Sequence, residues 1–236
     1  MAKLHDFIKY DYSLDQPIFV IPETVELTPF SFQKDGCLYE KDSLLFFFNK
    51  VDPNKEFNIV DIGAQTGLYT LYAKYLPKSK FYAFEPFPKS LAILKQNLFI
   101  NNIENVEIFP FAVADKSGKS KLNVCKSHNG LHTMGNPIRF NDIETIDIET
   151  KTLDEMFHDK NIPIDFLKID TEGCEYSILK GGMKTIKTFK PIIQLEWNLT
   201  NQKQFDVTQH MFFDLFFELD YHVTSLYNEE MIIESL

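Results

Sequence analysis

The chain has 236 residues, is 44% hydrophobic and carries a formal net charge of −10, which is length and apolar content for one well-packed domain with a sign that does not suit a polyanionic partner. Of its 24 basic residues only Arg139 is an arginine, so the planar fork that reads phosphates and guanine is nearly absent and a nucleic-acid substrate is not expected. Cys37, Cys125 and Cys174 are odd in number and lack CxxC spacing, which argues against a disulfide framework or a structural zinc site and points to a reducing, cytoplasmic setting.

Residues 1–50 show no periodic pattern and read as an N-terminal extension: a lid, a substrate-binding flap or a packed segment. The opening residues mix charges among apolar side chains, and the richest apolar runs, Leu44 to Phe48 and Met211 to Phe217, are far too short for a membrane span. From Phe57 the chain alternates between short β-branched or aromatic runs and amphipathic segments, the signature of an α/β fold in a single domain with its core over 57–236. Strands are predicted at Phe57 to Ile62, Lys80 to Phe84, Val106 to Phe109, Ile164 to Ile169, Pro191 to Glu196 and Tyr221 to Tyr227. Helices are predicted at Thr66 to Leu76, at Pro88 to Ile100 with Leu91, Leu94 and Leu98 on one face, and near Val207 to Leu219. The last, with Asp214 and Glu218 as its polar stripe, is expected to be mostly buried. Between Ala112 and Lys151 the alternation breaks: SKLNVC and TIDIET read as strands, and SHNGLHTMGNP as a loop expected to overhang the site.

The first strand runs into Asp61-Ile62-Gly63-Ala64-Gln65-Thr66-Gly67. Glycines at a strand end admit a bulky ligand to the backbone, and a helix that follows aims free N–H groups at it. Glu85 ends the next strand, where an acid accepts hydrogen bonds from both hydroxyls of a ribose. Gln65 stands where a dinucleotide fingerprint has its middle glycine, so room for a pyrophosphate is lacking. A polar turn beside an amino-acid tail fits the aminobutyrate end of S-adenosylmethionine instead.

Four blocks, VDIGAQTGLYTLYA, FYAFEPFPKSLAILKQNL, FPFAVAD and LKIDTEGCEYSILKGG, followed by IIQLE, resemble the FkbM-type methyltransferases. The resemblance implies a Rossmann-like fold: a mostly parallel seven-stranded sheet with helices on both faces and an antiparallel C-terminal strand. It also implies methyl transfer to hydroxyls, commonly on sugars. By this likeness Asp61, Gly63 and Gly67 shape the turn, Gln65 and Thr66 meet the aminobutyrate end, Glu85 holds the ribose, Pro86 and Phe87 border the adenine, and Ala114 and Asp115 contact the adenine ring and its amine. Gln65 departs from the family, which more often has asparagine there.

A hydroxyl is a poor nucleophile and needs a base. Asp170 ends the fourth strand, Glu172 follows and Glu196 ends the neighbouring strand, so three carboxylates are expected to converge at the crevice where α/β sheets bind ligands. They suit a general base, and equally a hard cation such as Mg²⁺ that acidifies the alcohol. Glu172 serves as well for capping the next helix. His132 is a further candidate base, with His128 behind it. Trp197 and Asn198 can face a sugar ring or finish the core. The expected activity is S-adenosylmethionine-dependent O-methylation of a sugar or glycan hydroxyl; the alternatives are a binding module without turnover and a methyltransferase of another acceptor.

Overall fold

The computed structural model of the chain describes residues 8–10, 18–20, 43–44, 46, 50–127, 130–136, 142–227 and 230–236. Of the expected extension it shows a short antiparallel pair, β1 (Ile8–Tyr10) with β2 (Ile18–Val20). Most of the remainder of residues 1–50, and its expected role as a lid, lies outside the described residues, as does His128.

Chain order continues with β3 (Asn58–Ile62), β4 (Lys80–Phe84), α1 (Pro88–Ile100), β5 (Val106–Phe109), β6 (Ala112–Val113), β7 (Gly118–Cys125) and β8 (Ile143–Lys151). Then come β9 (Phe166–Ile169), α2 (Glu175–Lys180), α3 (Met183–Phe189), β10 (Ile192–Glu196), α4 (Leu199–Gln202), α5 (Gln209–Leu219), β11 (Tyr221–Tyr227) and β12 (Glu230–Ser235). The seven-stranded sheet has the order β11-β12-β10-β9-β3-β4-β5. From β10 to β5 neighbours run parallel, and β12 runs antiparallel between β10 and β11. The expected strands and the antiparallel C-terminal strand are therefore present. A second sheet, β6-β8-β7, holds the two strands expected in the insertion.

Both faces of the sheet are buried, so successive residues of a strand enter opposite cores. Val60, Ile62, Leu167, Ile169, Ile193 and Leu195 pack with Ile178, Leu179, Ile186 and Phe212 from α2, α3 and α5. Ile59, Phe81 and Phe166 face the other way, under Leu71, Tyr72, Leu94 and Leu98. Among the described residues no helix is long and apolar enough to cross a membrane.

Two local expectations are corrected. The predicted helix at Thr66 to Leu76 is a 3₁₀ turn that begins only at Thr70 and ends at Tyr75. Gly63, Gln65 and Gly67 all have positive φ, which keeps the chain in a turn until Gly67, and Pro77 then stops any further helix. Helix α5 buries one face, with Phe212, Leu215, Phe216 and Leu219 inside. Its other face is open, with Phe213 45% and Phe217 85% exposed.

Candidate active site

The C-terminal tips of β3, β4, β9 and β10 form one edge, and the chain elements that leave them build the site. Beyond the paired residues Ile62 and Phe84, the backbone N–H groups of Gly63 and Ala64 both donate to the Phe84 carbonyl, at 3.0 Å each. This folds the turn over the β4 tip. Gly63 has φ +83°, and a Cβ there would lie 1.8 Å from the Asp170 carbonyl oxygen. Glycine is required on both counts, and the close approach sets this glycine turn, expected to meet the cofactor, against the strand end that carries Asp170.

Glu85 is buried, and its carboxylate organises the turn. Oε2 accepts from the Gln65 N–H at 2.9 Å and Oε1 from the Phe87 N–H at 2.7 Å. These two contacts fix the carboxylate at the strand tip. Gln65 sits at φ +49°, a left-handed conformation that asparagine adopts more readily, so glutamine carries a small conformational cost there. Thr66 is buried, its hydroxyl has no hydrogen-bond partner among the described residues, and its carbonyl accepts from Asn97 of α1 at 2.9 Å. Asp61 faces the interior, where the Thr70 hydroxyl donates to it at 2.6 Å and burial pushes its pKa up to about 6. Asn97 and Thr70 escaped the sequence reading, because polar residues on apolar helical faces give no pattern that marks them.

Pro86 and Phe87 continue from Glu85 into α1. Phe87 packs against Ala112, Leu122, Val124 and Ile148 of the small sheet. Ala114 is buried beside α2, where its carbonyl would lie 2.1 Å from a Cβ on Gly181. Asp115 exchanges hydrogen bonds with Ser177: its N–H donates to the hydroxyl, and the hydroxyl donates to Oδ1, both at 3.0 Å.

Asp170, Glu172 and Glu196 come together as expected, with one carboxylate oxygen from each lying within 4.8 Å of the others. Glu172 has φ +55° and Gly173 φ +117°, and a Cβ at Gly173 would lie 2.7 Å from the Asn201 carbonyl. The turn therefore seats against α4, whose Asn201 Nδ2 donates to Glu172 Oε2 at 2.6 Å and to Glu196 Oε1 at 3.5 Å. Glu196 Oε2 is buried without a hydrogen-bond partner among the described residues. Burial first, then the charges of Asp170 and Glu172, push the Glu196 pKa up to about 11, so it carries a proton at neutral pH.

Glu172 does not take the capping duty considered for it: the N-cap position of α2 is Cys174 and no side chain caps the helix, while Glu175 braces the preceding turn. Its Oε1 accepts from the Thr171 N–H and hydroxyl at 2.9 Å each and from the Gly173 N–H at 3.3 Å, and its Oε2 accepts from Gln202. Trp197 finishes the core, edge-on to Phe212 at 4.8 Å between ring centroids. Asn198 caps α4, accepting from the N–H groups of Thr200 and Asn201 at 3.0 and 3.2 Å.

Residues 130–136 lie across this edge, as the loop reading expected. A Cβ on Gly130 would meet Gln65 Nε2 at 3.2 Å. Thr133 Oγ1 donates to the Glu172 carbonyl at 2.9 Å. His132 stands edge-on to Phe87, 4.4 Å between ring centroids. Its Nδ1 accepts from the Cys125 N–H at 3.3 Å, and its Nε2 is buried without a partner among the described residues. Burial, helped by Lys89, holds the ring's pKa down to about 4. The neutral ring thus carries its proton on Nε2 and presents a donor there.

A parallel sheet with one antiparallel strand set between its last two, a glycine turn after the first strand and an acid at the second strand tip define a Rossmann-like methyltransferase fold. Residues 61–223 match the methyltransferase FkbM domain, and the chain belongs to that family. It is 30% identical over 159 residues to methyltransferase sdnD of Sordaria araneosa, covering 55% of this chain and 61% of the relative. It is 23% identical over 148 residues to the 2-O-methyltransferase NoeI of Sinorhizobium fredii, covering 54% and 58%. The chain thus spans about three fifths of the length of these curated relatives. The crystal structure of methyltransferase FkbM from Methylobacillus flagellatus shares the fold, with a TM-score of 0.53 and 18% identity over 81% of this chain and 46% of that one.

Proposed function

We propose that the protein transfers methyl from S-adenosylmethionine to a hydroxyl of a sugar or glycan-type acceptor, with Asp170 as general base. The observation that carries this reading is the placement of Asp170: its carbonyl abuts Gly63 of the cofactor turn while its carboxylate joins those of Glu172 and Glu196. The acceptor oxygen attacks the methyl carbon, the carbon–sulfur bond breaks with its electron pair going to sulfur, and the hydroxyl proton passes to Asp170. Glu196, holding a proton, is a hydrogen-bond donor in the same cluster, so adjacent acids take opposite roles. His132, neutral and with Nδ1 engaged, is assigned to ligand contact through Nε2 rather than to the base. Within the family likeness, the activity of NoeI as a 2-O-methyltransferase favours oxygen as the acceptor atom.

The three carboxylates also present the donor set of a hard divalent cation. Lys168 already sets an ammonium 3.4 Å from Asp170 Oδ2, so the reading uses the side chains alone. Labelled S-adenosylmethionine incubated with free and nucleotide-linked sugars, with and without chelator, tests both points. Label in a sugar that survives chelation supports the proposal. Label only in protein or nucleic acid refutes the acceptor, and loss with chelator assigns the carboxylates to a cation. Asp170→Asn is expected to bind cofactor normally and lower kcat by about 10²-fold or more, the contribution of a positioned base; full turnover would remove Asp170 from the chemistry.

A further inference from the structure

Parallel pairing aligns Asp61 of β3 with Lys168 of β9, and Lys168 with Gln194 of β10. All three side chains point away from the Leu167, Ile169 and Leu195 core and form a polar row on the face beneath the cofactor turn. All are buried, Lys168 at 2% exposure. Residues that follow the turn cover the row: Thr70 donates to Asp61 at 2.6 Å, and Tyr69 Oη accepts from Gln194 Nε2 at 2.9 Å. The Lys168 ammonium lies 5.0 Å from the centre of the Tyr69 ring and 3.4 Å from Asp170 Oδ2. It therefore touches both the cover of the cofactor turn and the carboxylate assigned as base. Lysine is almost never fully buried without such partners.

We propose that Lys168 is a positioning residue: clamped on Tyr69, its ammonium fixes the Asp170 carboxylate relative to the cofactor turn, and so sets the line from acceptor oxygen to methyl carbon. Among the described residues the other titratable groups near this pair are Asp61 on β3, Glu172 in the turn, Glu175 on α2 and the protonated Glu196 on β10. The proposal rests on Asp170 as the base. A role confined to fold stability would make Lys168 only the counter-charge of Asp61, and paired substitutions separate the two.

Lys168→Met, Asp61→Asn and the double variant are compared for kcat at saturating cofactor and acceptor, for KM, for heat of binding the demethylated cofactor, and by crystal structure with that product bound. In Lys168→Met, kcat is expected to fall about 10²-fold, the cost of misplacing a reacting group by about 1 Å, with KM and product affinity little changed and the Asp170 carboxylate rotated from its parental position. The double variant, relieved of the unpaired Asp61 charge, is expected to keep the same loss. A double variant as active as Asp61→Asn, or an Asp170 that holds its orientation without Lys168, overturns the proposal. So does failure of both Lys168 variants to fold, which assigns the residue to stability. The structural readout needs no acceptor, so failure of the sugar assignment leaves it decisive.

Discussion

Replacing Gly63 by alanine tests the central geometric claim, that the cofactor turn and the Asp170 strand end are held in backbone contact. An alanine Cβ would sit 1.8 Å from the Asp170 carbonyl oxygen and 2.9 Å from its carbonyl carbon, at φ +83°. The left-handed conformation costs an L residue about 1–2 kcal/mol, and forcing a methyl into packed backbone costs about 1–3 kcal/mol more. A total near 3 kcal/mol lowers the melting temperature of a chain this size by about 6–12 °C. Gly130→Ala is the internal control. Its Cβ would meet only Gln65 Nε2, at 3.2 Å, the far end of a flexible side chain that can swing aside, so its effect should stay within about 0.5 kcal/mol. Thermal melting of both variants, with calorimetric titration of S-adenosylmethionine, reads stability and site integrity together. A Gly63→Ala protein that melts with the parent and binds cofactor equally well would show that the two strand ends are not in contact, and would refute the site as drawn.

His132 links the site to acid stability. Its pKa is about 4 in the folded protein against 6.5 unfolded, so its contribution is whole above pH 6.5 and is lost as pH falls through 4, by about 3 kcal/mol at 1.36 kcal/mol per unit. Denaturant midpoints measured across that window should fall with acid in the parent and fall less in His132→Asn, which keeps an acceptor for the Cys125 N–H; equal slopes would show the ring to be solvated. Glu85→Gln removes an oxygen acceptor from one of two backbone N–H groups now bonded to the carboxylate. Cofactor affinity should drop about thirtyfold, for about 2 kcal/mol of charge-assisted hydrogen bonding, and unchanged binding heat would detach Glu85 from the cofactor.

What the sequence showed and what it hid divide along one physical line. The six strands were legible to within two residues, because the buried strands β3, β4, β9 and β10 read as short, mostly apolar runs and the edge strands β5 and β11 as β-branched and aromatic ones. Asp61, Glu85, Asp170 and Glu196 were legible as a group because each lies at or beside a strand tip, and strand tips in this topology share one edge. Lys168 was not legible, since its partners are set by lateral register between strands far apart in the chain; in sequence it is only a lysine inside an apolar run. The exposed side of α5 was hidden for a related reason: MFFDLFF satisfies a buried and a half-buried helix equally, and only the packing of Phe212 and Phe216 against the sheet leaves Phe213 and Phe217 outside. The fate of the expected cap at Glu172 turned on a single dihedral, and α2 has no side-chain cap. Glu172 stands just before the helix, where an acid is a good cap, yet its φ of +55° and the seating of Gly173 against Asn201 bring its side chain toward Glu196 through a shared Asn201. Glu175 then turns back to satisfy the Thr171 and Gly173 N–H groups. The turn at Glu172 and Gly173 thus directs one carboxylate into the acid cluster, and a second, three residues on, braces that turn by accepting from its N–H groups.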